Sequence, residues 1–334
     1  MINLKQLAQM AGVDVSTVSR ALNDSERVKP QTKALIKSLA EKHHYVPNDM
    51  ARSLVGKKND TIGVLVPELL NTFYAEVIEG IEEAGNERGY SLMFGKSRFA
   101  GEEEIKLIDM FMRRRVDGII LCSSSRRTIE HLRKLKKSIP IVIADTFEPY
   151  ADMDVVTIDH EYGVGGVIDH LLAFGHREFG YIGDSKITPL RLETFRRGLA
   201  GHGIELAARH IFVGEERYEE GGYRRMTELL AQPDRPTAVF VGTDNLAIGA
   251  VRAARESGVK VPEEMSIVGF DDIIASAYAE VPLTTVLQPK QEMGRLACGL
   301  LLAKITGEAA GFRQVVLKPE LVVRKTTGAV PGKG

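Results

Sequence analysis

The sequence predicts an α/β core of two doubly wound parallel-sheet lobes, preceded by a small all-α head built as a helix-turn-helix. Three observations carry this. From Asp60 onward, short apolar runs alternate with helical stretches: "TIGVLV", "YSLMFG", "DGIILC" and "IPIVIA", then "DVVTI", "FGYIG", "TAVFVG" and "MSIVGF". Such alternation requires parallel strands covered by helices. The series reads twice, with a break near residues 148–154, so the core divides into two lobes, and the segment between Pro282 and Pro289 is expected to cross between them. Before Asp60 the apolar spacing is helical.

The first helix lies in "NLKQLAQMAGV", where Leu4, Leu7, Ala8 and Ala11 recur at i, i+3, i+4 and i+7 and Gly12 supplies the stop. In "VDVSTVSRALN", Asp14 is placed to cap the second helix with its side chain, and Val18, Ala21 and Leu22 project to one side. Ser16 and Arg20 stand opposite, flanked by Thr17 and Ser19, with Val15 at the boundary in the first turn. A third helix is expected from about Thr32 to His43, burying Leu35, Ile36, Leu39 and Ala40. Two helices joined by a glycine turn, with a third behind, make a helix-turn-helix.

Bulk properties bound the function. The chain has 334 residues, 44% apolar and 27% charged, enough for two substantial cores and too apolar for disorder. No apolar run approaches the roughly 18 residues that span a membrane, and the first residues lack a signal-peptide pattern, so a cytoplasmic protein is expected. The two cysteines, Cys122 and Cys298, are far apart in apolar surroundings and read as small core residues. Charge is uneven: residues 1–60 carry ten Lys/Arg and six Asp/Glu, the remainder 34 and 39. A basic head on an acidic body suits a polyanionic partner, although solvated surface charge produces the same asymmetry.

A helix in the major groove must present groups that read base edges, and arginine on guanine is the commonest such contact. Arg20 is the candidate for it. Ser16 can bond a base or a phosphate, Thr17 and Ser19 suit phosphate oxygens, and Val15 can pack on a thymine methyl. The same pattern would also suit a small amphipathic bundle that binds protein, with Arg20 solvated.

The stretches "LKQLAQMAGVDVSTVSRALN" and "VKPQTKALIKSLAEKHHYVPNDMARSLVGKK" resemble the headpiece and hinge of the LacI/GalR family of bacterial transcriptional repressors along their whole length. The resemblance implies that Val15, Ser16 and Arg20 hold base-reading positions, with Thr17, Ser19 and Asn23 near the backbone. Asp14 departs from the serine usual there, though either residue can cap. The resemblance also implies that "PNDMARSLVGKK" is a hinge helix that pairs with its dimer mate in the minor groove of an inverted-repeat operator, Leu54 wedging between base pairs. A segment this short is marginal as an isolated helix and folds only when held. An apolar wedge unstacks a step and recovers the cost through added contacts. Ala51 allows close approach, and Arg52, Lys57 and Lys58 can neutralise phosphate. A flexible linker is the plainer reading.

The body resembles the type I periplasmic-binding-protein-like core that the same family carries. Ligands of such sheets bind beyond the carboxyl ends of the strands, and the resemblance assigns effector contact to Phe73, Asp145, Arg191, Thr243 and Asp271, with Phe195 packed beneath. Arg217 stands where relatives commonly place a stacking aromatic. With Lys96, Arg98, Arg126 and Arg127, it leans toward an anionic effector such as a sugar phosphate or sugar acid, a neutral sugar being the other expectation.

These readings set a headpiece over residues 1–46, a hinge over 47–59 and a core over 60–328. The first lobe takes about 60–159 plus 288–310, the second about 160–287 plus 311–328. No glycine-rich phosphate loop follows "TIGVLVPELLNTF" and no metal-spaced His/Asp cluster stands out, so neither an enzyme nor a cofactor is expected. An alternative within the family is a catabolite-control-type regulator whose corepressor is a phosphorylated protein. The matching "QPKQEMGRLACGLL" carries Lys290, Gln291 and Gly299 in place of that pattern. The expected assembly is a homodimer, since "TTGAVPGKG" shows no leucine heptad.

Overall fold

The computed structural model describes residues 2–45, 59–122, 126–146 and 150–330. Met1–Asn59 and Asp60–Gly334 form separate compact units.

The head consists of α1 (Leu4–Ala11), α2 (Val15–Leu22) and α3 (Pro30–Lys42). A reciprocal pair opens α1: the Asn3 side chain accepts from the Gln6 amide and the Gln6 side chain accepts from the Asn3 amide, each at 2.9 Å. Gly12 ends it at φ 62°, the left-handed conformation that glycine adopts without cost. The core is small, with Leu7, Val18, Ala21 and Ile36 fully buried and Ala8, Val28 and Ala40 nearly so. Three local expectations need correction. Asp14 stands at the N-cap of α2 with no side-chain bond to the helix, its backbone carbonyl accepting from Thr17 and Val18. Leu35 is 49% exposed because three helices of this length cover only a narrow stripe of α3, and Leu39 is half-buried for the same reason.

In the core's first lobe, a six-stranded parallel sheet runs in the order β11-β5-β4-β3-β1-β2, formed by β1 (Thr61–Val66), β2 (Ser91–Lys96), β3 (Gly118–Cys122), β4 (Ile141–Ala144), β5 (Asp154–Ile158) and β11 (Gln314–Leu317). Strand alternation gives it two apolar faces. Ile62, Val64, Val66, Ile120 and Cys122 enter one cluster, beneath α4 (Thr72–Asn86) and α12 (Lys290–Thr306), while Leu65, Ile119 and Leu121 enter the other. That other face is covered by α5 (Gly101–Arg113) and α6 (Arg126–Leu135), which supply Ile108, Phe111, Ile129 and Leu132.

The second lobe carries a four-stranded parallel sheet in the order β7-β6-β8-β9: β6 (Phe179–Asp184), β7 (Ile211–Gly214), β8 (Ala238–Val241) and β9 (Ser266–Val268). Around it stand α7 (His160–Ala173), α8 (Pro189–Gly201), α9 (Glu219–Leu230), α10 (Asp244–Glu256) and the short α11 (Ile274–Tyr278). Each lobe contains one helix pair packed backbone to backbone. A Cβ on Gly294 would lie 2.0 Å from the Val77 carbonyl, and one on Gly222 would lie 1.9 Å from that of Leu246.

One expected break and one expected lobe assignment differ from the observed sheets. "DVVTI" follows the expected break, yet as β5 it pairs with β4 of the first sheet, Val142 against Asp154. The first sheet therefore runs to Ile158, inside the 60–159 set for the first lobe. "QVVL" was placed with the second lobe, but as β11 it pairs with β5, Gln314 against Val155. The chain thus crosses between lobes three times: into α7, back along β10 (Thr285–Leu287) to α12, and again from β11 to β12 (Glu320–Val322), which pairs antiparallel with β10. Among the described residues no helix is long and apolar enough to cross a membrane.

Candidate functional site

The outer face of α2 is built by subtraction. Val18 and Ala21 are committed to the head's core, and a 100° step per residue leaves the others pointing away. Val15, Ser16, Arg20 and Asn23 are exposed, and Thr17 and Ser19 are half-exposed at the flanks. Asn23 ends the helix by donating its side-chain amide to the Ser19 carbonyl at 2.6 Å. The predicted reading residues therefore form one continuous polar face on a rigid helix. The predicted hinge residues Ala51, Arg52 and Leu54, with Lys57 and Lys58, lie outside the described residues.

In the core, the predicted effector residues converge at the carboxyl ends of both sheets. Asn71 accepts from the Phe73 amide at 3.0 Å and so caps α4. Phe73 is thereby set in the first turn, edge-on to Tyr74 with ring centroids 5.0 Å apart. Asp145 follows β4 and Asp271 follows β9, both with positive φ, 54° and 125°. Such non-glycine conformations cost on the order of 1–3 kcal/mol and cluster where a site needs a side chain aimed against local preference.

Arg191 of α8 links these groups. It is 1% exposed, and its Nη1 donates to the Gly242 carbonyl at 2.5 Å and lies 3.4 Å from Asp271 Oδ1. Its guanidinium stands 3.9 Å from the Phe270 ring centroid. Thr243, immediately before α10, is buried beside this carbonyl. Phe195 lies under the site, its ring centroid 5.0 Å from that of Phe240. Asp271 accepts from the Gln288 side chain at 2.7 Å. Lys290 donates to the backbone carbonyls of Asp271 and Asp272 at 2.8 and 2.7 Å and faces Glu76 of α4 at 3.4 Å.

Burial dominates the titration of these acids. It pushes Asp271 up to about 7, partly offset by Arg191. Asp145 is raised to about 6 by burial, offset first by Arg191 and then by a hydrogen bond with Tyr74. Desolvation holds His160 well below the usual histidine range, and Arg191 adds to it, so His160 is a neutral neighbour of the same cluster.

The anionic lean loses its main support here. Arg217 does not offer a free cation to the cleft, because it is ion-paired with Glu68 of the first lobe and stacked on Phe99 at 4.0 Å. Lys96 and Arg98 are exposed, and Arg127 pairs with Glu102 at 3.0 Å. The tertiary structure adds Glu68, Tyr74, Phe99, His160, Gln288 and Lys290 to the site. None has a local signature, since each acts only through a partner brought from far along the chain.

Residues 3–48 match the model of bacterial regulatory proteins of the lacI family, and residues 168–327 match a periplasmic binding protein-like domain. Over 331 residues the chain is 32% identical to catabolite control protein A of Priestia megaterium, covering 98% of this chain and 99% of that protein. It is 33% identical to the transcriptional repressor CytR of Escherichia coli K12, covering 98% and 97%. The chain belongs to the LacI family. Among solved structures, the lac repressor dimer bound to operator and an anti-inducer superposes with a TM-score of 0.89 at 27% identity, covering 98% of this chain and 99% of that one. A CelR–cellobiose complex superposes at 0.73 and 31%, covering 98% and 100%. As a LacI-family member the protein is a DNA-binding transcriptional regulator, with an effector-binding core behind a helix-turn-helix head.

Proposed function

We propose that the protein is a homodimeric repressor whose two heads read inverted half-sites, and whose operator grip responds to an uncharged, hydroxyl-rich effector held between the lobes. At the operator, Val15, Ser16 and Arg20 meet base edges, while Thr17, Ser19 and Asn23 meet the backbone. Leu54, supported by Ala51 and Arg52, wedges the minor groove in the hinge. In the cleft, Phe73, Asp145, Arg191, Thr243 and Asp271 contact the effector, which acts by favouring one lobe arrangement over another.

The observation that carries the effector class is the charge balance. Two buried carboxylates, Asp145 and Asp271, face one guanidinium, Arg191. Arg217 and Lys290 are already matched by Glu68 and Glu76. A phosphate or carboxylate on the ligand would meet surplus negative charge at low dielectric, whereas sugar hydroxyls or ring N–H groups would donate to both acids. Selection of tight-binding duplexes from a random pool gives the operator. A thermal-shift panel of neutral sugars and nucleosides against sugar phosphates and sugar acids then tests the class. Neutral ligands should raise the melting temperature and alter operator binding. If only phosphorylated or acidic sugars do so, the electrostatic reading is wrong.

A further inference from the structure

We propose that Glu68, Phe99 and Arg217 form an interlobe clasp that holds the core closed before any effector arrives. The clasp goes beyond the assignment of the cleft and does not depend on which ligand the cleft accepts.

Glu68 lies just past the end of β1 and is 8% exposed. Phe99 sits in the loop after β2, where Arg98 and Phe99 both adopt positive φ, 56° and 57°. These two belong to the first lobe. Arg217 comes from the second, in the loop between β7 and α9, and its guanidinium pairs with Glu68 while lying 4.0 Å from the Phe99 ring centroid. Tyr218, the next residue, stands close enough to the same Glu68 carboxylate that, after burial, its negative charge helps push the phenol up. The Arg217 and Glu68 side chains are only 17% and 10% exposed. Ion pairs on open surface contribute little because water competes for both partners. This pair is largely shielded, and a flat aromatic seat fixes the guanidinium plane, so it resists separation far more than a rim contact would.

The loop that delivers Arg217 is itself braced. Arg225 of α9 is 2% exposed, reaches Glu216 at 3.1 Å and fills the space over two glycines. A Cβ on Gly214 would lie 2.4 Å from Arg225 Nη2, and one on Gly221 would lie 2.9 Å from Nη1. Movement of Arg217 away from Glu68 therefore carries the second lobe with it. Where an aromatic in this loop would offer the effector a stacking face, Arg217 occupies Phe99 from within the chain, and the resting core is closed by its own side chains.

The test uses the full-length protein without effector. Spin labels at Lys96→Cys and Lys186→Cys, exposed positions at the cleft-side strand ends of the two lobes, report the interlobe distance. Labelled chains are diluted into unlabelled protein so that only intrachain pairs count, and Cys122 and Cys298 are buried and escape labelling. The effector-free protein should give one narrow, short distance distribution. Glu68→Arg or Arg217→Glu alone should lengthen it by several ångströms, the double exchange should restore it, and the milder Arg217→Gln should shift it in the same direction. A long or broad distribution in the parent protein, single exchanges that leave it unchanged, or a double exchange that fails to restore it would each overturn the clasp. Far-UV circular dichroism confirms that each variant is folded.

Discussion

Two acids whose titration burial shifts upward make the core's stability fall as the solution becomes more alkaline. Asp271 has an ordinary value of 3.8 and is raised to about 7 in the folded core. Between those values the folded form binds more protons than the unfolded form, so each step up in pH favours unfolding. The stabilisation is fully present below pH 3.8 and is lost as the pH climbs to about 7. One pH unit corresponds to about 1.36 kcal/mol, so a span of about three units corresponds to roughly 4 kcal/mol. Asp145, raised to about 6, adds a smaller loss of the same sign over a window ending about one unit lower. Urea titration followed by far-UV circular dichroism between pH 5 and 8 measures the core's unfolding free energy directly. Asp271→Asn keeps an acceptor for Gln288 and removes the charge. The variant should show a shallower decline and, at pH 8, equal or greater stability than the parent. The reasoning is refuted if parent stability is flat or rises across this window, or if Asp271→Asn leaves the slope intact.

Ile36→Ala empties a fully buried position in a very small core. It should cost about 2–5 kcal/mol, visible as earlier melting of the head and loss of operator binding while effector binding by the core persists. Gly222→Ala places a methyl 1.9 Å from the Leu246 carbonyl. It should destabilise the second lobe by about 1–3 kcal/mol or more through overpacking, read as a lower melting temperature. Leu54→Ala should weaken operator binding far more than binding to random duplex, and an equal loss for both in fluorescence anisotropy would remove the wedge. Arg20→Ala should relax preference at one base pair per half-site, by about 1–3 kcal/mol of discrimination, in a comparison of single-base operator variants.

Periodicity alone settled the head and the layered core, because a helix or strand must bury one stripe whatever its surroundings. The three helices and the eight quoted runs all appear where the spacing placed them. Val18 and Ala21 were legible as the buried side of α2, which left Ser16 and Arg20 outside. The strand partners were not legible. β5 and β11 join the first sheet through backbone pairing, and an apolar run of four or five residues carries no mark of the strand it will pair with. Asp145 and Asp271 were placed by family pattern as expected effector contacts, but their chemistry was decided by tertiary burial, which raises Asp271 to about 7 even though Arg191 and the Gln288 hydrogen bond pull it the other way. Arg217 shows the limit most plainly. Its sequence context offered a free cation, and folding instead brought Glu68, 149 residues away, against it. Local pattern fixes which face of an element is buried, whereas the partner of a charged side chain is a property of the folded chain.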